Sequence, residues 1–138
     1  MKKPFSLKVV SFLLWLQIIA IIYSLILAWS AYAVPSSPSS GLWHLQQESE
    51  ARRLGVATIA EVDLAHCIFF TVMEIIPLII DAAGLFLISW RSWMGTFTCL
   101  CLNATFYLIE AKNLAPVAMV CLVLLFMPGA RRYCEEAS

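Results

Sequence analysis

The sequence is short of charge, of histidine and of any clustered glycine. Charged residues make up 13% and hydrophobic residues 62% of its 138 residues. A water-soluble domain carries about 25% charged and about 45–50% apolar residues. The shortage leaves too little polar surface to cover a globule in water, so lipid is expected to be part of the solvent. The net charge is zero, which removes the electrostatic basis for nucleic acid binding. The 5 glycines form no phosphate-cradling loop. No Ser/His/Asp set and no His/Cys metal spacing is present. An internal repeat, the mark of an inverted-repeat transporter, is also missing.

The five cysteines are Cys67, Cys99, Cys101, Cys121 and Cys134. The odd count and the lack of C-x-x-C argue against a disulfide framework. The first four lie in apolar runs and are expected to pack as small hydrophobes. Along a helix the Cys99–Cys101 step turns about 200°, which splays the two thiols and opposes a redox or metal pair. His66 has no membrane mate, and His44 lies in a loop, so a bis-histidine haem site is not expected. No cofactor is expected.

What the sequence does have is long apolar runs. Lys2, Lys3 and Lys8 form a basic head, and Val9–Ala33 follows without a charge for 25 residues. At 1.5 Å per residue that run is about 37 Å long, more than the roughly 30 Å hydrocarbon core. Trp15, Trp29 and Tyr32 sit towards its ends, as in aromatic belts. Lys2, Lys3, the apolar run and Ala31-Tyr32-Ala33 imitate a cleavable signal peptide, but the run exceeds a signal core of about 7–15 residues, so an uncleaved helix is expected.

The polar loop 34–57 opens with Pro35-Ser36-Ser37-Pro38. In its second half, Leu42, Trp43, Leu45 and Leu54 alternate with Gln46, Gln47, Glu48, Glu50, Arg52 and Arg53. This predicts a short amphipathic helix, either on the membrane surface or as a solvated lead into the next span. Thr58–Trp90 is too short for two antiparallel spans, so one helix is expected, with its membrane part at 64–90. Arg91-Ser92 makes a turn into a third span at 93–109. Glu110 to Asn113 makes the next turn, with Asn113 as N-cap and Pro116 in the first turn of a fourth span at 114–127. Pro128-Gly129 is expected to end that span. The fold class is therefore all-α: a polytopic four-transmembrane-helix bundle in one domain.

Orientation follows from the basic residues. With the N-terminus inside, Lys2, Lys3, Lys8, Arg91, Arg131 and Arg132 lie on the cytoplasmic face, and Arg52, Arg53 and Lys112 on the other. Both termini are expected to be cytoplasmic.

One feature inside the membrane is costly. Glu74 and Asp81 lie within the second apolar run, and an ionised acid at mid-span costs about 2.5–3.5 kcal/mol. On a helix, residues seven or eleven apart are within about 20° of alignment, so Glu74 shares a face with Asp81 and with Asp63. Pro77 frees the carbonyl of Met73 and can kink the helix beside Glu74. Expected partners for Glu74 are Gln17, Tyr23 and Ser24 on the first span and Thr98, Asn103 and Tyr107 on the third. No basic residue is expected at that depth. Glu61, Asp63 and His66 are the best cluster for an enzyme, and read equally as a polar helix start. Ala20, Ser24 and Ala28, spaced by four, form a small-residue ridge for helix packing, and Gly95, Cys99 and Asn103 repeat it. The Asn103-Ala104-Thr105 sequon lies inside a span, out of reach of glycosylation.

GLFLISWRSWMG from Gly84, NATFYLI from Asn103 and NLAPVAMVCLVLLFMPGARRY from Asn113 to Tyr133 resemble the closing half of small bacterial four-helix membrane proteins of unknown function. The resemblance covers about a third of the chain and rests on a Trp-Arg-Trp turn and a proline–arginine stop. It implies an inner-membrane location and no activity.

Two function classes remain as expectations. One is a non-enzymatic membrane protein acting through helix–helix contacts, as an accessory subunit of a membrane complex or an immunity-type protein, with a membrane-protein partner or a second copy of itself. The other is an oligomeric ion- or proton-coupled transporter with Glu74 as its carrier carboxylate.

Overall fold

A computed structural model describes residues 2–110 and 115–136. It is all-helical, with no strand among the described residues. Lys112 and Asn113, and with them the expected turn and N-cap, lie outside the described residues.

Among the described residues six helices follow in order: α1 (Phe5–Ala33), α2 (Leu42–Arg53), α3 (Leu64–Ser89), α4 (Trp93–Glu110), α5 (Ala115–Leu125) and α6 (Pro128–Glu135). Short 3-10 turns at Pro38–Ser40 and Ile59–Glu61 flank α2. By length and composition α1 and α3 can each cross a membrane. The α5–α6 pair, bent by 61° at its break, passes the same test as one broken span, and Trp93–Ile109 in α4 is a shorter apolar helix.

Helix α1 starts at Phe5, ahead of the expected Val9, because Lys8 donates its backbone N–H to the carbonyl of Pro4 at 3.1 Å. A lysine on the exposed side of a first turn does not oppose helix formation. Helix α3 ends in a reverse turn in which Ser92 N–H reaches the carbonyl of Leu87 at 3.0 Å and Arg91 N–H that of Ile88 at 3.0 Å. That closure needs a left-handed residue at its corner, usually glycine. Here it is Arg91, at φ 56°, with its guanidinium 4.3 Å from the centroid of the Tyr133 ring. Ser92 then caps α4, accepting the N–H of Gly95 on its hydroxyl at 3.2 Å.

The chain's end differs from expectation. Helix α5 stops at Leu125, two residues before the expected Met127. Pro128 does not merely stop a helix but starts the next one, and the tail that holds Arg131 and Arg132 is α6. Proline lacks the N–H an interior position needs, yet fits a first helical position, while the residue before it is pushed to extended backbone. Met127 is extended accordingly, at φ −63° and ψ 139°.

The chain forms two compact units. Met1–Ile18 with Pro77–Ser138 make one, and Ile19–Ile76 the other. In the first, Leu7, Val10 and Leu14 of α1, Ile88 of α3, Leu100 of α4 and Leu125 of α5 form the core, closed at one end by Ala130, Tyr133 and Cys134 of α6. Trp93 stacks on Phe97 with ring centroids 5.4 Å apart and donates its indole N–H to the carbonyl of Leu125 at 3.2 Å. At Gly95 a side chain would meet Leu87 at 2.9 Å and the Ser92 hydroxyl at 2.8 Å, so the missing Cβ permits this close helical hairpin. In the second unit Ala31, Ala51, Ile59, Val62 and Cys67 form a smaller core.

The buried positions of α3 are Cys67, Phe70, Glu74, Pro77, Asp81, Gly84 and Ile88, a stripe of alternating three- and four-residue steps. Away from such stripes the helices bare large apolar side chains, among them Ile79 at 62% and Val123 at 66% exposure. A surface of this kind is at home in hydrocarbon.

Candidate functional site

Each unit buries polar side chains, among them one of the two acids of α3.

In the first unit Asp81 is fully buried, as are Gln17 of α1 and Asn103 of α4 to within 4%. These three sit on the inward stripes of their helices. Asn103 Nδ2 donates to Gln17 Oε1 at 2.9 Å and to Asp81 Oδ1. Turned by half a rotation, the Gln17 amide instead donates its own N–H groups to the Asp81 oxygens at 2.9 and 3.2 Å. The layer can therefore supply Asp81 with donors from two helices, and a buried polar group needs such partners in an apolar interior. Thr96, also fully buried, returns its hydroxyl to the carbonyl of Ser92 at 2.7 Å within its own helix.

In the second unit Glu74 has a basic partner after all. Arg53, at the end of α2, reaches Glu74 Oε1 with Nη2 at 3.4 Å. Its Nη1 donates to the Ser24 hydroxyl at 3.0 Å and lies 3.7 Å from Glu50 Oε1. The guanidinium carbon is 5.5 Å from the centroid of the Phe70 ring. Arg53 stays 42% exposed, while the side chains of Glu50 and Glu74 are 8% and 10% exposed. One cation thus serves two buried carboxylates. Glu50 Oε1 accepts no hydrogen bond. Burial pushes the Glu50 carboxyl above its ordinary value; Arg53 pulls it down and Glu74 pushes it up again.

Helix α2 forms at the place expected for a short amphipathic helix and is held to its unit by polar contacts. Gln47 and Glu50 are buried, whereas Leu42 and Leu45 are exposed. Gln47 donates to the Ser30 hydroxyl at 3.0 Å and accepts the backbone N–H of Ser36 at 2.9 Å. Tyr23 donates its hydroxyl to Gln46 Oε1 at 2.5 Å.

The other expected residues fall as follows. Of the expected partners of Glu74, Ser24 belongs to its group, through Arg53. Gln17 and Asn103 serve Asp81, Tyr23 serves Gln46, and Thr98 returns its hydroxyl to the carbonyl of Met94 at 2.9 Å. Tyr107 is buried in a cluster with Ala104 and Ala118. Asp63 is exposed at the start of α3, accepting the backbone N–H of His66 at 2.8 Å and lying 2.6 Å from its Nδ1. These hydrogen bonds, the backbone one first, hold its carboxyl below the usual range. Of the small-residue ridge, Ala28 is buried, Ser24 half-buried and Ala20 exposed. All five cysteines are free, and Cys134, in the C-terminal tail, is buried in α6.

Arg53 is a residue of this polar group that the expected partners of Glu74 do not include. It lies in the polar loop, and a loop is expected to stay in water. The signal that points to it is the spacing of Gln46, Gln47, Glu50 and Arg53. These place a polar stripe on one face of α2, ready to meet a polar stripe elsewhere. No family model, curated protein or solved structure matches the chain.

Proposed function

We propose that the chain is a non-enzymatic, multi-pass protein of the bacterial inner membrane that acts through helix–helix contacts, as an accessory subunit of a membrane complex or an immunity-type protein. In this reading α1, α3, α4 and the bent α5–α6 segment make four passes, and both termini are cytoplasmic. The observation that carries it is the division of polar and apolar surface. Asp81 and Glu74 are each furnished with partners inside the chain, and large apolar side chains such as Phe12, Ile19 and Val123 face outward. A helical surface of that kind recognises lipid and other membrane helices by packing. The orientation is supported by the first unit, where Arg91 meets Tyr133 of α6 and Arg131 lies 5.6 Å from the Trp93 ring centroid. These contacts gather basic residues at one end, as the positive-inside rule requires. The resemblance of Gly84–Tyr133 points to the same membrane.

Purification in mild detergent tests this. A membrane protein that accompanies the chain at fixed stoichiometry is the expected result; a chain that stays alone in both detergent and bilayer contradicts it.

A second reading, an oligomeric ion- or proton-coupled transporter, is favoured by the single buried stripe that holds Glu74, Pro77 and Asp81. The Arg53–Glu74 pair weighs against it, since a carrier carboxylate must change partners in each cycle. Proton flux into vesicles that is lost in a well-assembled Glu74→Gln variant would favour transport; flux that survives would eliminate Glu74 as carrier.

A further inference from the structure

We propose that Glu50, Arg53 and Glu74 form a binding site for a single proton, held on Glu50 beside an Arg53–Glu74 ion pair, and that losing this proton loosens the end of α2 from the parts of α1 and α3 it packs on.

The charge balance leads there. Two buried carboxylates share one guanidinium, so the fully ionised group carries a net negative charge in surroundings of low dielectric. A charge so placed is costly, and a carboxyl avoids the cost by taking up a proton. The two acids are not equivalent. Arg53 donates a hydrogen bond to Glu74 at 3.4 Å but stands 3.7 Å from Glu50 Oε1, which accepts no hydrogen bond at all. The carboxylate with the poorer partners is the better place for the proton. Arg53, 42% exposed, keeps the group open on one side, so protons can enter and leave.

The neighbours leave the assignment intact. From α1 the group meets Ser24, which binds Arg53, while Tyr23 binds Gln46. On α2 itself, His44 and Arg52 pair with Glu48 at 3.3 and 4.0 Å. From α3 it meets Glu74 and Phe70; Cys67 is bonded to the carbonyl of Ala28, and Asp63 is engaged with His66. Among the described residues, no three His, Cys, Asp or Glu side chains are placed to hold a metal ion.

The sign of the pH response follows. Glu50 has a raised carboxyl in the docked state, so docked α2 binds more protons than released α2. Docking is strongest below the ordinary carboxylate value of 4.5 and weakens as pH rises through the raised one.

The test uses the whole chain in lipid nanodiscs and two readouts taken from mildly acidic to mildly alkaline pH. One is the infrared band of protonated carboxyl groups. The other is amide hydrogen exchange across α2, corrected for the intrinsic pH dependence of exchange. The expected result is a carboxyl band, retained in Asp81→Asn, that fades as pH rises, with α2 exchange increasing at least about tenfold over the same range. Glu50→Gln should abolish the band and keep α2 protected throughout. Glu74→Gln should free Arg53 for Glu50 and move the transition down towards the ordinary carboxylate range, while Asp81→Asn should leave it in place. Should Glu50→Gln not assemble, the wild-type band and its displacement in Glu74→Gln decide. A wild type without such a band, a band unchanged in Glu50→Gln or Glu74→Gln, α2 exchange that does not follow it, or a band displaced by sodium at constant pH would each overturn the proposal.

Discussion

Replacing Arg53 by alanine removes the cation that Glu50 and Glu74 share. Breaking a fully buried pair costs about 3–5 kcal/mol. Arg53 is 42% exposed, so a smaller loss of about 2 kcal/mol is expected, solvent and headgroups screening part of the interaction. The double change Arg53→Ala with Glu74→Gln should recover much of it. Unfolding in mixed micelles measures the cycle, and a coupling energy near zero would show that the two side chains do not stabilise one another. At the other polar group, Asn103→Ala takes one donor from Asp81 and should cost about 1 kcal/mol, in the range of interhelical hydrogen bonds in membranes. An unchanged unfolding midpoint would mean that Gln17 alone suffices. How much of this was legible at the residue scale divides by helix. Glu74, Asp81, Gln17 and Asn103 all announce themselves as polar residues in apolar runs. Their pairing does not, because the residue that answers Glu74 is Arg53, 21 positions away in a segment that reads as water-exposed loop.

The elements were more legible than their ends. Helices α1, α3 and α4 follow from long apolar runs, that of α3 carrying Glu74 and Asp81, and the turn at Arg91-Ser92 from a single charge between tryptophans. The Ser92 cap is the part of that turn with a definite energy. Ser92→Ala, which removes the acceptor of the Gly95 N–H, should destabilise the protein by about 1 kcal/mol; a loss below a few tenths would mean that another group takes up that N–H. Helix α2 shows why an amphipathic pattern alone does not settle a face. Its leucines are exposed and its buried residues are Gln47, Glu50 and Ala51, a packing held by Gln47 on the Ser30 hydroxyl of α1 and by Arg53 on Ser24 and Glu74. At the far end, Pro128 reads equally as a stop and as a start. Only the extended backbone of Met127 and the packing of Tyr133 and Cys134 decide for the second.

For the whole molecule the question is how many times the chain crosses the bilayer. Helices α1 and α3 have the length and apolarity to cross on their own, whereas α4 is shorter and the α5–α6 segment is broken by its 61° bend. A topology reporter fused after Ala57, Arg91, Glu110 or Glu136 reads the side of the membrane at each point. Four passes predict alternation, with the fusions after Ala57 and Glu110 outside the cytoplasm and those after Arg91 and Glu136 within it. A fusion after Glu110 that reports the same side as one after Arg91 would contradict the account, leaving α4 as a helix that enters the membrane surface without crossing.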